Sequence, residues 1–212
     1  MTVRNRLVRL VAIVALAAAV SALTLAAQAP LPRRGGGGQG QGQGRGGRGQ
    51  AVEAPKPPSV SPLATLSPEV TGPGQMFPGL MSMPAGDDFA HFKYEAHEYY
   101  ASGTANGQPY KTRIVIRKPS DNSRFSGFIL AESMHPSGNA WEFHFTHTYT
   151  MASGHIGLEI VTSDPTQFVE YNGDRYKDLK VGQGQASEII AQVGALIRSK
   201  EASNPLSGLP IR

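Results

Sequence analysis

Two neighbouring segments of the chain alternate between apolar and polar residues and predict β-strands. Residues 92–101 (FKYEAHEYYA) are rich in Tyr and Phe with partial alternation, which is typical of a strand. Residues 110–118 (YKTRIVIRK) alternate cleanly and place Arg113 and Arg117 on the face opposite the isoleucines. Because a short, turn-rich loop joins the two segments, we expect them to pair as an antiparallel hairpin.

Downstream of the hairpin, the pattern predicts strands in alternation with helices. Residues 127–133 (GFILAES) form a nearly continuous apolar run, as expected of a strand buried on both faces, and residues 155–162 (HIGLEIVT) predict another strand. Residues 140–152 and 185–200 have helical periodicity instead. Strands that alternate with helices require a parallel sheet with right-handed crossovers. We therefore predict an α/β fold in which an antiparallel hairpin leads into parallel strands with flanking helices.

The segments around these strands carry further expectations. We expect the first helix to have an apolar stripe made of four residues at helical spacing: Trp141, Phe145, Thr148 and Ala152. Residues 165–182 read as a polar loop after a strand, on the side of the sheet where α/β proteins bind ligands. Tyr171 and Tyr176 lie in this loop and are candidates for lining a pocket.

The N-terminal residues predict export. Three arginines precede an uncharged, mostly Val, Ala and Leu stretch, and Ala27-Gln28-Ala29 then closes it. This order is typical of a secretory signal peptide over residues 1–29, with a secreted or periplasmic product that has no stable membrane insertion. An uncleaved membrane anchor is the alternative, because the apolar stretch is just long enough to span a bilayer.

Residues 30–86 have the composition of a disordered linker. The segment is dominated by Gly, Gln and Pro and has no periodic apolar face that could offset the entropy of ordering. An Arg/Gly stretch can also bind RNA, but this one has no interleaved aromatic residues. We therefore expect a spacer that leads into a domain over residues 87–212.

Charge and cysteine content exclude several classes of protein. The whole chain has a formal net charge of +4, but residues 87–212 carry twelve Lys and Arg against fourteen Asp and Glu. The domain is therefore slightly acidic and offers no electrostatic footprint for nucleic acid. The chain contains no cysteine, which excludes disulfides, a thiol nucleophile and zinc–thiolate sites.

Three stretches of this half of the chain resemble the N-terminal part of a bacterial alpha/beta hydrolase domain family. The stretches are SGTANGQPYKTRIVIRKP at 102–119, RFSGFILAES at 124–133, and W-x5-H followed by SGHIGLEI at 141–160. The resemblance covers residues 92–200. The chain departs from the family pattern at Ser133, where the family has Trp, and at His135, where it has Asn.

The resemblance implies a serine hydrolase that acts on small ester-like substrates and needs no cofactor or metal. In such enzymes an activated serine attacks the ester through a tetrahedral oxyanion. The loop after the third strand of the fold supplies one oxyanion-hole N–H, which makes the backbone of Met134 and His135 the candidate donors. The chain contains no G-x-S-x-G motif. We therefore expect it to stop before the nucleophile and to be inactive alone, with no catalytic residue of its own.

Two alternatives to a hydrolase remain open. The first is a non-catalytic binding module derived from a hydrolase domain. The second is a metal-binding protein that uses the histidines between positions 135 and 155 together with Glu142, although their spacing matches no established zinc motif. For the truncated hydrolase, a half-sheet would leave an open apolar edge, through which we expect self-association.

Overall fold

The computed structural model describes residues 61–212, which form one mixed α/β unit. Its strands are β1 (Thr65–Leu66), β2 (Tyr94–Ala105), β3 (Gln108–Pro119), β4 (Ile129–Ser133) and β5 (Ile156–Ile160). Its α-helices are α1 (Phe89–Phe92), α2 (Trp141–Ala152), α3 (Thr166–Tyr171), α4 (Gly173–Tyr176) and α5 (Ala186–Arg198), and a 3-10 turn covers Asn122–Arg124. The predicted signal peptide and the linker up to residue 60 lie outside the described residues.

The five strands form one sheet in the order β1-β2-β3-β5-β4. Strand β1 pairs antiparallel with β2, β2 with β3, and β3 with β5, whereas β4 and β5 are parallel. The predicted fold class is therefore confirmed, with the hairpin β2–β3 leading into the parallel pair. Because β4 and β5 are parallel, the loops that follow them emerge at the same end of the sheet.

One face of the sheet packs against α5 and forms the largest apolar core. Ile114 and Ile116 on β3 and Leu158 on β5 are buried there against Ile189 and Val193 of the helix. Each such side chain contributes about 2 kcal/mol when it is fully removed from water. The helical spacing of the aliphatic residues in 185–200 predicted this contact correctly.

Helix α2 covers the opposite face, but with a different stripe from the predicted one. Its buried residues are Phe143, Thr150 and Met151, whereas Phe145 is 75% exposed. The reason is Gly157 on β5, since a side chain at that position would collide with the ring of Phe143. The missing side chain therefore admits Phe143 to the sheet and turns the predicted stripe towards solvent.

Residues 61–86 pack against the sheet, which differs from the predicted linker that extends through residue 86. Thr65 pairs with Ser102 of β2, and the N–H of Val70 donates to the carbonyl oxygen of Glu98 at 2.8 Å. Leu66 is also buried in the main core, and the side chains of Arg113 and Arg175 donate to carbonyl oxygens of the segment. These contacts come from distant parts of the chain, which is why the composition did not reveal the order. The ordered part of the chain thus begins well before residue 87.

The segment predicted as a polar loop at 165–182 contains the two short helices α3 and α4. The carboxylate of Asp164 accepts hydrogen bonds from the N–H and the hydroxyl of Thr166 at the start of α3. The side chain of Asn172 likewise accepts the N–H of Arg175 at the start of α4. Within residues 61–212, no helix is long and apolar enough to cross a bilayer.

Candidate functional site

The loops after β4 and β5 lie at the end of the sheet where α/β proteins bind their ligands. The loop after β4 spans residues 134–140 and contains both candidate oxyanion donors. Its start is buried, with Met134 only 2% exposed, and His135 is exposed at the surface. The loop therefore leads from the buried sheet to the surface.

Both candidate N–H groups are already engaged in hydrogen bonds. The N–H of Met134 donates to the carbonyl oxygen of Ile160 at 2.8 Å and so extends the β4–β5 ladder. The N–H of His135 donates to the carbonyl oxygen of Asn139 at 3.1 Å and closes the loop on itself. In this arrangement neither group points at a free acceptor position, and only the His135 bond can open without disturbing the sheet.

The side chains of the loop also bond within the loop. The Nδ1 atom of His135 lies 2.9 Å from the Oγ of Ser137, and the Nδ2 of Asn139 donates to the same Oγ at 3.2 Å. These contacts join residues two positions apart, which is the usual geometry of polar side chains in a tight turn. From the neighbouring α3, the Nε2 of Gln167 donates to the carbonyl oxygen of Pro136 at 3.2 Å.

Glu132, at the end of β4, fixes the far end of the loop. Its two carboxylate oxygens accept the N–H groups of Glu142 and Phe143, each at 3.0 Å, and so cap the first turn of α2. The N-cap residue Ala140 has no side chain that could do this. Burial and then the neighbouring Glu142 carboxyl raise the pKa of Glu132 to about 8, against the lowering effect of the two N–H groups.

The two tyrosines proposed as pocket residues lie in different environments. Tyr176 is fully buried, donates its hydroxyl to Glu98 at 2.8 Å and accepts the N–H of Phe77 at 2.7 Å. Tyr171 is 46% exposed and packs edge-on against the ring of Phe77 at 5.2 Å. A cavity of about 340 Å³ opens nearby, between residues 164–170 and 179–181, and neither tyrosine is among the residues that line it.

A buried ionic network on the α2 face of the sheet is the feature that the sequence prediction missed. The carboxylate of Glu159 binds Arg113 and also Arg117, whose Nη2 lies 2.6 Å from Oε2. Glu98 binds Arg113 and also Arg175, and the Nη2 of Arg175 lies 2.6 Å from the Oε2 of Glu98. Burial acts to lower the pKa of Arg113, but the two carboxylates outweigh it, and the net pKa is raised above the usual value.

The strand register explains how this network forms. Glu98 on β2 and Glu159 on β5 both lie directly opposite Val115 of β3, and they therefore flank that strand on one face. Arg113 and Arg117 occur two positions before and after Val115, on the same face. The signal in the sequence is therefore a set of charged residues inside strands that otherwise read as buried.

The network also holds the segment before α1 against the sheet. Arg113 donates to the carbonyl oxygen of Phe77 at 2.7 Å, and Arg175 donates to that of Val70 at 2.6 Å. Further along, the N–H of Ala140 donates to the carbonyl oxygen of Gly79 at 2.8 Å. The segment from 70 to 79 thus connects the buried arginines to the end of the loop after β4.

The histidines proposed as metal ligands use separate partners. His155 bonds to the Oγ of Ser126 at 2.6 Å, and His147 lies 3.2 Å from the Oδ2 of Asp87. His144 stacks on His147 with ring centroids 5.8 Å apart, and His135 is engaged in its own loop. Across residues 61–212, no three His, Asp or Glu side chains come together in a group that could hold a metal ion.

Comparison with known families agrees with this architecture. A model of the family described as alpha/beta hydrolase domain matches residues 61–212, which is more than half of the 212-residue chain. A search of curated proteins found no match, and a search of solved structures found none. The chain therefore belongs to the alpha/beta hydrolase domain family.

Proposed function

We propose that this chain forms the N-terminal part of an exported serine hydrolase of ester-like substrates, and that the nucleophile comes from polypeptide outside these 212 residues. The observation that carries the proposal is the position of loop 134–140. It follows β4, the strand that pairs with β5 in parallel, at the end of the sheet where α/β-hydrolases present an oxyanion-hole donor.

The hydrogen bonds in the loop indicate which donor would act. The N–H of Met134 belongs to the ladder with β5, so its release would require the strands to separate. The N–H of His135 is held only by Asn139, four residues away in the same loop. We therefore favour His135 as the donor to an oxyanion, after the loop opens at this one bond.

Two serines in the described residues lie beside a histidine, and neither has the surroundings of a nucleophile. Ser137 contacts His135 within one turn, and the third group there is the amide of Asn139, which donates to the serine oxygen rather than orienting the imidazole. Ser126 contacts His155, whose ring lies edge-on to Phe128 and Tyr149 instead of a carboxylate. A catalytic serine needs a base that is itself oriented by an acid.

The experiment is a steady-state assay of the chain with p-nitrophenyl butyrate, in parallel with its Ser137→Ala and Ser126→Ala variants. We expect all three proteins to release p-nitrophenol at the rate of buffer alone. Turnover by the unmodified chain that one of the variants abolishes would overturn the proposal, because a complete site would then exist within these residues. The other serine variant is the matched control for such a loss.

Export is the second part of the proposal. It rests on the arginines, the apolar stretch and the Ala-x-Ala sequence of residues 1–29. The absence of cysteine is compatible with an exported protein that is stabilised by its core and its ionic network instead of disulfides. The direct test is the N-terminal sequence of the mature protein.

A further inference from the structure

Gly138 lies at the turn of loop 134–140, where the loop packs against neighbouring side chains. Its backbone is in the left-handed region, with φ at 82°, and its N–H donates to the carbonyl oxygen of His135 at 2.9 Å. A Cβ atom at this position would collide with the side chain of Gln167 and would lie 3.0 Å from the Cζ of Phe77. The turn therefore rests against Phe77 and Gln167, at a closeness that glycine makes possible.

Phe77, the first of these two neighbours, is fixed by buried side chains. Its N–H donates to the Oη of Tyr176 at 2.7 Å, and its carbonyl oxygen accepts from Arg113 at 2.7 Å. Its ring packs against Phe168 and Tyr171, with centroids 4.7 Å and 5.2 Å away. Because Tyr176 and Arg113 are fully buried, Phe77 stays in place when the turn of the loop moves.

Gln167, the second neighbour, bonds to the loop from the short helix α3. Its Nε2 donates to the carbonyl oxygen of Pro136 at 3.2 Å, which is the one hydrogen bond of this side chain within residues 61–212. Gln167 itself is half-buried, whereas the next residue of the helix, Phe168, is fully buried and anchors the helix to the core. The bond to Pro136 is therefore the weakest of the contacts that hold the turn.

The two ends of the loop are held independently of its turn. The N–H of Met134 bonds to the β5 strand, and the N–H of Ala140 donates to the carbonyl oxygen of Gly79 at 2.8 Å. Between these points, the N–H of His135 donates to the carbonyl oxygen of Asn139. Movement that releases the His135 N–H is therefore confined to residues 135–139.

The direction of that movement follows from the contacts of Gly138. Phe77 and Gln167 already occupy the space beside this glycine, so the turn opens by moving away from them. Such a movement carries Pro136 away from α3 and breaks its bond to Gln167. Opening of the His135 bond and loss of the Gln167 bond are therefore one event.

We propose that Phe77 and Gln167 are positioning residues that control how readily the His135 N–H is released to an oxyanion. The inference rests on the proposed function, in which that N–H is the donor. Phe77 provides the fixed surface on which the turn of the loop rests. Gln167 holds the turn on this surface through its bond to Pro136, so the strength of that bond determines how often the donor is free.

The test is amide hydrogen exchange in the full chain, labelled with ¹⁵N and measured by magnetisation transfer from water. Gln167→Glu keeps the size of the side chain but removes the Nε2 donor. We expect it to accelerate exchange of the His135 amide about fivefold, the effect of one hydrogen bond of average strength. Gln167→Leu should accelerate it similarly. The amide of Met134, whose bond belongs to the strand ladder, should keep its rate.

Phe77→Leu tests the fixed surface. It removes the ring beside Gly138, and we expect exchange at His135 to accelerate at least about fivefold relative to exchange at Met134. The ratio of the two rates is decisive, because a general loss of stability would accelerate both amides. The matched control is Glu170→Gln, at an exposed position of the same helix as Gln167. It should leave the ratio within about twofold of that of the unmodified chain.

An unchanged ratio in Gln167→Glu or in Phe77→Leu would overturn the proposal. This holds even if Gln167→Leu accelerates exchange, because the side chain would then act by packing and not as a donor. The exchange measurement involves no ester, so this negative result would leave the proposed function standing. Serine-dependent ester turnover by the unmodified chain would instead overturn the proposed function, and this proposal with it, whatever the exchange rates.

Discussion

Replacing Glu159 by glutamine tests whether the buried ionic network stabilises the protein as the structure indicates. Glu159 is fully buried and is the carboxylate shared by Arg113 and Arg117. The substitution keeps the shape of the side chain but leaves Arg117 without a carboxylate and Arg113 with only Glu98. Breaking a buried pair from one side typically costs about 3–5 kcal/mol, which is a large part of a total stability of about 5–15 kcal/mol.

Urea and thermal unfolding measure the effect. For a domain of this size we expect the urea midpoint of Glu159→Gln to fall by roughly 2 M and the melting temperature to fall by about 10 °C. The matched control is Glu95→Gln, because Glu95 is 39% exposed and pairs with Lys118 at 2.6 Å. An exposed pair of this kind contributes less than about 1 kcal/mol.

A second substitution in the same background separates the charge effect from a packing effect. Adding Arg117→Met to Glu159→Gln removes one of the stranded guanidinium groups, so part of the lost stability should return. The reasoning is refuted if Glu159→Gln is no more destabilising than Glu95→Gln. It is also refuted if Arg117→Met lowers the stability of the Glu159→Gln variant as much as it lowers the stability of the unmodified chain.

Three further predictions concern other parts of the chain. Burial raises the pKa of Glu132 to about 8 from the usual 4.5. Between these pH values the folded protein retains a proton that the unfolded chain releases, so the free energy of unfolding should fall as the pH rises from 4.5 to 8. Urea titrations at several pH values should show this slope, and Glu132→Gln should remove it. Gly157→Ala should lower the free energy of unfolding by about 1–3 kcal/mol, because the added methyl group overpacks against Phe143. Gly194→Ala in α5 should raise it by about 0.5–1 kcal/mol, because the space around this glycine is open. Equal effects of the two substitutions in thermal melts would contradict this reasoning. Finally, Edman sequencing of the exported protein should begin at Pro30, and an intact N-terminus in the membrane fraction would contradict cleavage.

The local patterns of the sequence were sufficient to predict most of the sheet and its neighbouring helices. Strict alternation identified β3, the continuous apolar run identified β4, and the aliphatic residues of 185–200 identified the buried face of α5. These features follow from periodicity within a single element. They required no knowledge of which residues lie close together in the fold.

The features that the sequence did not reveal all depend on contacts between distant segments. The order of residues 61–86 rests on donors such as Arg175, which bonds to the carbonyl oxygen of Val70 more than one hundred positions away. The rotation of α2 depends on the missing side chain at Gly157, in the following strand. The partners of Arg113 and Arg117 become visible only once the register of three strands is known.

Reaction with a fluorophosphonate probe tests the central claim most directly, namely that these residues belong to a serine hydrolase but do not contain its nucleophile. The purified chain would be incubated with excess probe and its intact mass measured, with an active serine esterase as the positive control. We predict no mass increase for the chain under conditions that label the esterase completely. Stoichiometric addition of one probe molecule, mapped to Ser137 or Ser126, would contradict the account.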